Sequence, residues 1–273
     1  MLRARILLVV ASVVLVFAIY QLPRVVVEND VVADAQQLEE PSELTEENPD
    51  GHSLEISEEL EKRIASLQEK IDVEENPKNL INFADSLGRI YLSVNQLDSA
   101  YAYAQKIFEI DSEEYGQLKS GLLLYSVFEL TNDQQKSAAL GQRVRTLLEP
   151  IATSSGDLSL KIKIGMTYVS GQNPMKGILM IREVLDEDPQ NVEALFKLGF
   201  LAVQSGQLEK AVERFEQILS IEPKDWNSVL YLGISLTELG QVTKAKKQFE
   251  RIIEESNIPV LQQIARDYLK KIE

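Results

Sequence analysis

The sequence predicts an all-α fold in which antiparallel helix pairs stack side by side into a solenoid. Two observations lead to this prediction. Residues 192–225 and 226–259 align at an offset of 34 with nine identical positions, and a self-similar period of this length is typical of repeated helix pairs. Apolar side chains within each unit also recur three or four residues apart, the spacing of amphipathic helices that bury one face.

The two aligned copies share their small and bulky positions. The identical pairs include Leu198/Leu232, Gly199/Gly233, Gly206/Gly240, Ala211/Ala245 and Phe215/Phe249. Small residues let two helices approach closely, and bulky ones interlock between them. In the first copy we therefore expect helices near 191–205 and 208–220, joined by a turn at Gly206.

The same register continues towards the N-terminus. Gly165 lies 34 residues before Gly199, and Gly88 and Ala100 mark an earlier copy. At each end, an amphipathic helix is expected to cap the stack, because each repeat buries its face only against its neighbours. The expected units are a cap at 57–80, repeats at 81–114, 115–157 (irregular, nine residues longer), 158–191, 192–225 and 226–259, and a cap at 260–273. Some twelve helices result.

This pattern resembles the tetratricopeptide repeat. The copy at 192–225 carries the signature of that family as Leu195, Leu198, Gly199, Ala202, Ala211, Phe215, Ile218 and Pro223. The resemblance implies a right-handed superhelix and a role in binding protein partners. One residue departs from the pattern, since Lys161 occupies a position where the family has a large apolar side chain.

The resemblance also implies where a partner would bind. In this family, certain positions of the first helix of each pair line a concave groove in which peptides dock. Here those positions include Ile162, Met166, Phe196, Phe200, Val203, Leu230 and Ile234. Their apolar character favours a hydrophobic partner segment, such as a helix. The alternative is that neighbouring helices cover these side chains, which would make them core. The Lys and Asn clamp of chaperone-binding members is missing.

Composition excludes several other functions. The chain has no cysteine, one histidine (His52), and none of the common hydrolase, phosphate-loop, dinucleotide or zinc-protease motifs. We therefore expect no enzymatic activity, cofactor, metal or small-molecule substrate. The net charge is −15, without a basic stripe, so nucleic acid is not an expected partner either.

The N-terminal segment predicts a membrane anchor. Ile6 to Tyr20 are fifteen residues without a charge, and a transmembrane helix within 1–24 is the economical interpretation. Arg3 and Arg5 precede the apolar run, which places the N-terminus in the cytoplasm and the repeats on the periplasmic side of the inner (plasma) membrane. The alternative is a signal peptide cleaved near Ala35.

Residues 25–56 predict a disordered acidic linker. Between Glu28 and Glu61 the chain has thirteen acidic residues and no lysine or arginine, a composition that cannot bury enough apolar area to fold. The whole layout resembles membrane-anchored bacterial repeat proteins of cytochrome c biogenesis and of the secretion translocon. We therefore expect a membrane-tethered interaction scaffold that assists assembly of membrane or exported proteins, or alternatively a released soluble carrier or chaperone.

Overall fold

The computed structural model describes residues 57–171 and 173–272. This part of the chain contains twelve α-helices and no strand. The helices are α1 (Glu58–Val73), α2 (Pro77–Ser93), α3 (Leu97–Ile110), α4 (Glu114–Leu130), α5 (Gln134–Ser155), α6 (Leu158–Val169), α7 (Pro174–Glu187), α8 (Val192–Gln204), α9 (Leu208–Ile221), α10 (Trp226–Glu238), α11 (Val242–Glu255) and α12 (Pro259–Ile272).

The anchor expected at 1–24 and the linker expected at 25–56 lie outside the described residues. Within 57–171 and 173–272, no helix combines the length and the apolar character that crossing a bilayer requires.

The first helices of three successive pairs begin at capping residues that recur every 34 positions. Asp157 accepts hydrogen bonds from the backbone of Ser159 and Leu160, Asn191 from that of Ala194, and Asp225 from that of Ser228. Such caps satisfy backbone donors that have no partner within the helix. The repeat of 34 therefore sets where α6, α8 and α10 begin.

The turns inside the last two pairs depend on glycine. Gly206 and Gly240 have φ values of 71° and 70°. These values lie in the left-handed region, which residues with a Cβ atom rarely adopt. The next residue then donates its backbone N–H to the preceding helix, from Gln207 to Ala202 and from Gln241 to Leu236. The two turns therefore have the same backbone conformation and hydrogen-bond pattern.

The helices pack in sequence order, and first helices also contact each other across pairs. Each helix contacts the next one along the chain, and α2 packs on α4, α6 on α8, α8 on α10, and α10 on α12. A large core runs from Ile81 to Ile164, and a second runs from Leu195 to Ala265 around the fully buried rings of Phe215 and Phe249. This is the architecture of an α-solenoid, as expected.

The irregular unit at 115–157 corresponds to α4 and α5. Its second helix has 22 residues, whereas α7, α9 and α11 have 14 each. The extra length of this unit therefore lies mainly within a helix rather than in a loop.

Candidate partner-binding surface

Two of the seven residues expected to line the groove are core residues instead. The exposed fraction is 0% for Ile162 of α6 and 6% for Leu230 of α10. Ile162 packs with Ile181 and Ala194 in a small cluster between α6, α7 and α8, and Leu230 belongs to the C-terminal core. Neither side chain offers a surface to a partner.

The other five residues are half-buried. Met166 of α6 packs against both the N-terminal core and the small cluster. Phe196 and Val203 of α8 and Ile234 of α10 each place one side against the C-terminal core. Together with Phe200 they leave part of their apolar surface open.

Three aromatic side chains form a patch where α8 meets α10. The rings of Phe196 and Phe200 lie edge-on to the ring of Tyr231, with centroid distances of 5.6 and 5.4 Å. Edge-to-face pairs at such distances are favourable because the ring edge is positive and the face negative. We call Phe196, Phe200 and Tyr231 the aromatic patch; Tyr231 was not among the residues expected from the sequence.

The patch is anchored unevenly on the core. The buried ring of Phe215 contacts Phe196 edge-on and stacks on Tyr231, both at 5.8 Å. Burial raises the pKa of Tyr231, and the neighbouring Tyr268 raises it further. Phe200, by contrast, has its ring contact with Tyr231 alone among the aromatic residues described. Substituting Phe200 is therefore the change that perturbs the core least.

A network of polar side chains continues from the patch along α8 and α6. Lys163 Nζ donates to Ser159 Oγ at 2.7 Å and to Glu193 Oε1 at 2.9 Å. Ser159 Oγ in turn donates to the other oxygen of Glu193 at 2.8 Å. All three groups therefore have hydrogen-bonding partners across the α6–α8 contact.

The same network reaches α4. Lys197 Nζ donates to Glu129 Oε1 at 2.6 Å, and Tyr125 Oη donates to the same oxygen at 3.0 Å. Lys163 Nζ also lies 5.7 Å from the centroid of the Tyr125 ring, within the range of a cation–π contact. We call Tyr125, Glu129, Ser159, Lys163, Glu193 and Lys197 the polar ridge.

One repeat position explains the change from polar to aromatic. Lys163, Lys197 and Tyr231 follow one another at intervals of 34 residues. The first two form ion pairs on the polar ridge, whereas the third forms the centre of the aromatic patch. Reading this single position across the three repeats would have indicated Tyr231 from the sequence.

Lys161, the departure from the repeat pattern, also pairs with carboxylates. Its ammonium lies 3.2 Å from Glu183 and 2.9 Å from Glu187 of α7, beside an open cleft of about 420 Å³. In the next two repeats the same position holds Leu195 and Val229, which are buried. The lysine therefore replaces an apolar contact between paired helices with an ionic one.

Across the described ranges, no group of three or more histidine, aspartate or glutamate side chains has the geometry to hold a metal ion.

Comparison with known proteins places the repeats in a family. The model of the tetratricopeptide repeat matches residues 178–225 and 202–257. No curated protein matches the sequence significantly.

Solved structures share the fold at low sequence identity. The quorum sensor NprR from B. thuringiensis is 12% identical with a TM-score of 0.56, over 78% of this chain and 65% of its own. PilW, a type IV pilus biogenesis factor, is 18% identical with a TM-score of 0.53, over 75% and 90%. A tetratricopeptide repeat protein of Thermus thermophilus, TTC0263, is 13% identical with a TM-score of 0.50, over 65% and 90%. At these identities the likeness concerns the fold alone.

Proposed function

We propose that the chain is a scaffold that binds an apolar segment of a partner protein on the aromatic patch. Its residues 178–257 match the tetratricopeptide repeat family, whose members generally mediate protein–protein interactions. The observation that carries this proposal is the pair of half-buried phenylalanine rings, Phe196 and Phe200, set edge-on against Tyr231. Rigid aromatic side chains supply contact area at low entropic cost and dominate many interfaces. Val203 and Ile234 extend the apolar surface on α8 and α10.

The polar ridge supports the same proposal. Interfaces of this kind have an apolar centre and a polar rim. Lys163 and Lys197 are already paired with Glu193 and Glu129, so the rim does not require a charged partner. An amphipathic helix whose apolar face covers the aromatic patch fits this arrangement.

We further propose that residues 1–24 tether the scaffold to the inner membrane and that the acidic linker holds the repeats on its periplasmic side. The uncharged run from Ile6 to Tyr20 and the preceding arginines support this proposal. In that place the scaffold would assist the assembly of membrane or exported proteins. The small residues Ala33 and Ala35 favour the second candidate, a carrier released by cleavage.

Substitution of Phe200 tests the binding surface. The full-length chain, tagged at its C-terminus, is cross-linked in intact cells, solubilised in mild detergent and purified with its partners. Phe200→Asp is compared with Leu179→Asp, a matched change at an apolar side chain of α7 that is 50% exposed. We expect a discrete partner with the native chain and with Leu179→Asp, and its loss with Phe200→Asp.

Two outcomes would overturn this proposal. One is a partner that persists with Phe200→Asp, because the aromatic patch would then not be the binding surface. The other is a large fall in melting temperature for Phe200→Asp, which would make this ring part of the core. The membrane tether has a separate test, since a mature chain that begins at Met1 and stays in the membrane fraction excludes the released carrier.

A further inference from the structure

A second cleft lies where α8 meets α7 and α9, and it shares no residue with the aromatic patch. Its volume is about 270 Å³. The apolar part of its lining includes Ile178 of α7 and Leu198 and Leu201 of α8. Two arginines, Arg182 of α7 and Arg214 of α9, also line it, together with Val169, Gln204 and Gln207. The cleft therefore combines an apolar wall with two positive charges.

Two residues that line the cleft are smaller than their counterparts in the next repeat. Ala202 and Ser205 line it, and 34 residues later the same positions hold Leu236 and Leu239. Leu236 is buried, so the corresponding space in the next repeat is occupied by a side chain. Here the smaller residues leave room at the α7–α8–α9 junction.

The described residues compensate the positive charges of the two arginines only in part. Neither Arg182 nor Arg214 forms an ion pair within 57–171 and 173–272, and Arg214 only donates to the backbone oxygen of Lys210 at 3.4 Å. Burial lowers the pKa of Arg214, the charge of Arg182 lowers it further, and Glu213 acts in the opposite direction. The charges of the two guanidiniums therefore repel each other, with Arg214 half-buried and Arg182 exposed. A bound anion would relieve this repulsion.

The arginine pair is particular to this junction. At the next one, 34 residues later, Glu216 and Gln248 occupy the positions of Arg182 and Arg214. A site for an anion needs a local excess of positive charge, which the two arginines provide at this junction and which Glu216 and Gln248 do not provide at the next. The charge and the missing side-chain volume thus change together at one junction.

We propose that this cleft binds a carboxylate side chain of a partner protein together with an adjacent aliphatic side chain. The guanidiniums of Arg182 and Arg214 are suited to paired hydrogen bonds with a carboxylate, and Ile178, Leu198 and Leu201 would cover the aliphatic group. Typical small-molecule pockets have volumes of about 300–1,000 Å³. The cleft is slightly smaller than this range, a size that suits one or two side chains. The site does not depend on the proposed function of the aromatic patch.

Arginine side-chain NMR tests the site directly. The full-length chain in mild detergent, with ¹⁵N-labelled arginine, is titrated separately with four probes. These are the peptide acetyl-Leu-Glu-Leu-amide, 4-methylpentanoate, its neutral analogue 4-methylpentanamide and inorganic phosphate. We expect the Nε–Hε signals of Arg182 and Arg214 to shift saturably with the peptide and with 4-methylpentanoate, and not with the amide. The peptide should bind more tightly than the free acid.

Four variants make the assignment specific. Arg182→Gln and Arg214→Gln should each weaken binding about tenfold, the effect of losing one charge-assisted hydrogen bond. Arg63→Gln, at an exposed arginine of α1, should leave binding unchanged. Ala202→Leu combined with Ser205→Leu copies the next repeat and should abolish binding while both arginines remain.

Three results would overturn the proposal. Equal shifts with the amide would indicate an apolar cleft without anion recognition, and equal shifts with inorganic phosphate would indicate non-specific attraction of anions. Binding of the free acid without binding of the peptide would assign the cleft to small carboxylates rather than to a protein segment. Phe200→Asp separates this proposal from the proposed function. This variant changes the aromatic patch and should leave peptide binding in the cleft unchanged.

Discussion

The ammonium of Lys197 donates to the carboxylate of Glu129 at 2.6 Å, although the two residues are 68 positions apart. This pair joins α8 directly to α4, two repeat units away. In a solenoid, most stabilising contacts involve nearest-neighbour units. The Lys197–Glu129 pair is therefore a contact beyond nearest-neighbour units, within the polar ridge.

A double-mutant cycle with Lys197→Met and Glu129→Gln should measure a coupling free energy of about 0.5–1 kcal/mol in urea unfolding. The side chains are 21% and 40% exposed, so solvent screens the pair only in part. The same cycle at Lys62 and Glu58, which are 75% and 82% exposed, should give a smaller value. Equal coupling in both cycles would contradict a special role for the longer-range pair.

Gly233→Ala should lower the free energy of unfolding by about 1–3 kcal/mol, the typical cost of overpacking. A Cβ at this position would lie 2.7 Å from Cε1 of the buried Phe249 ring. The matched change Gly199→Ala meets Phe215 at 3.0 Å and should cost less. Thermal and urea unfolding of the two variants measure this order, and the reverse order would contradict it.

Lys161→Gln should lower the free energy of unfolding at neutral pH. The difference from the native chain should disappear at high pH. The hydrogen bond to Glu187 raises the pKa of Lys161 above its ordinary value, against an opposing effect of burial. A raised pKa means that the pairing stabilises the fold fully below about pH 10.4, the value of an unfolded lysine, and is lost as the pH rises through the folded pKa.

Urea unfolding of the native chain and of Lys161→Gln between pH 7 and pH 11.5 measures this change. We expect a constant difference up to about pH 10.4 that narrows at higher pH. A difference that stays the same across the whole range would show that Lys161 acts through packing rather than through its charge.

Tyr125→Phe should be destabilising near neutral pH, by about 1 kcal/mol for the lost hydrogen bond to Glu129. Burial, and next the charge of Glu129, raise the pKa of Tyr125 far above its ordinary value. Above about pH 10 the unfolded chain ionises this tyrosine and the folded chain does not. As the pH rises further, the native chain should then lose stability faster than Tyr125→Phe. The difference in unfolding free energy between the two should therefore shrink to zero or change sign.

Unfolding measured at pH 7, 9 and 10.5 checks this crossover. If the stability advantage of the native chain over Tyr125→Phe grew with pH, Tyr125 would ionise more easily in the folded state than in the unfolded one. That would contradict the effect of its burial and of the charge of Glu129.

Helix positions in the repeats could be predicted well from the sequence alone. The helices expected near 191–205 and 208–220 are Val192–Gln204 and Leu208–Ile221 in the structure. They follow from local information, since apolar spacing, capping residues and the turn glycines all lie within one unit. The likeness to the tetratricopeptide repeat follows from the same information, because the 34-residue pattern is itself the signature, and the family model matches it at residues 178–257.

Which apolar residues are exposed could not be predicted in this way. Ile162 and Phe196 occupy the same position of successive repeats, yet the first is fully buried and the second contributes to the aromatic patch. A leucine or phenylalanine on the first helix satisfies the pattern in either environment. How closely the neighbouring pairs pack determines which one it has.

The sequence by itself determined the helical fold, its repeat length, the family and the uneven distribution of charge, because each is encoded in residues that are close in the chain. Only the tertiary structure decided that Tyr231 contacts both Phe196 and Phe200 and that Lys197 reaches Glu129. It also decided that Arg182 and Arg214 share one cleft. These relationships join side chains from different helices, and the relative position of the helices depends on the volume of every side chain packed between them.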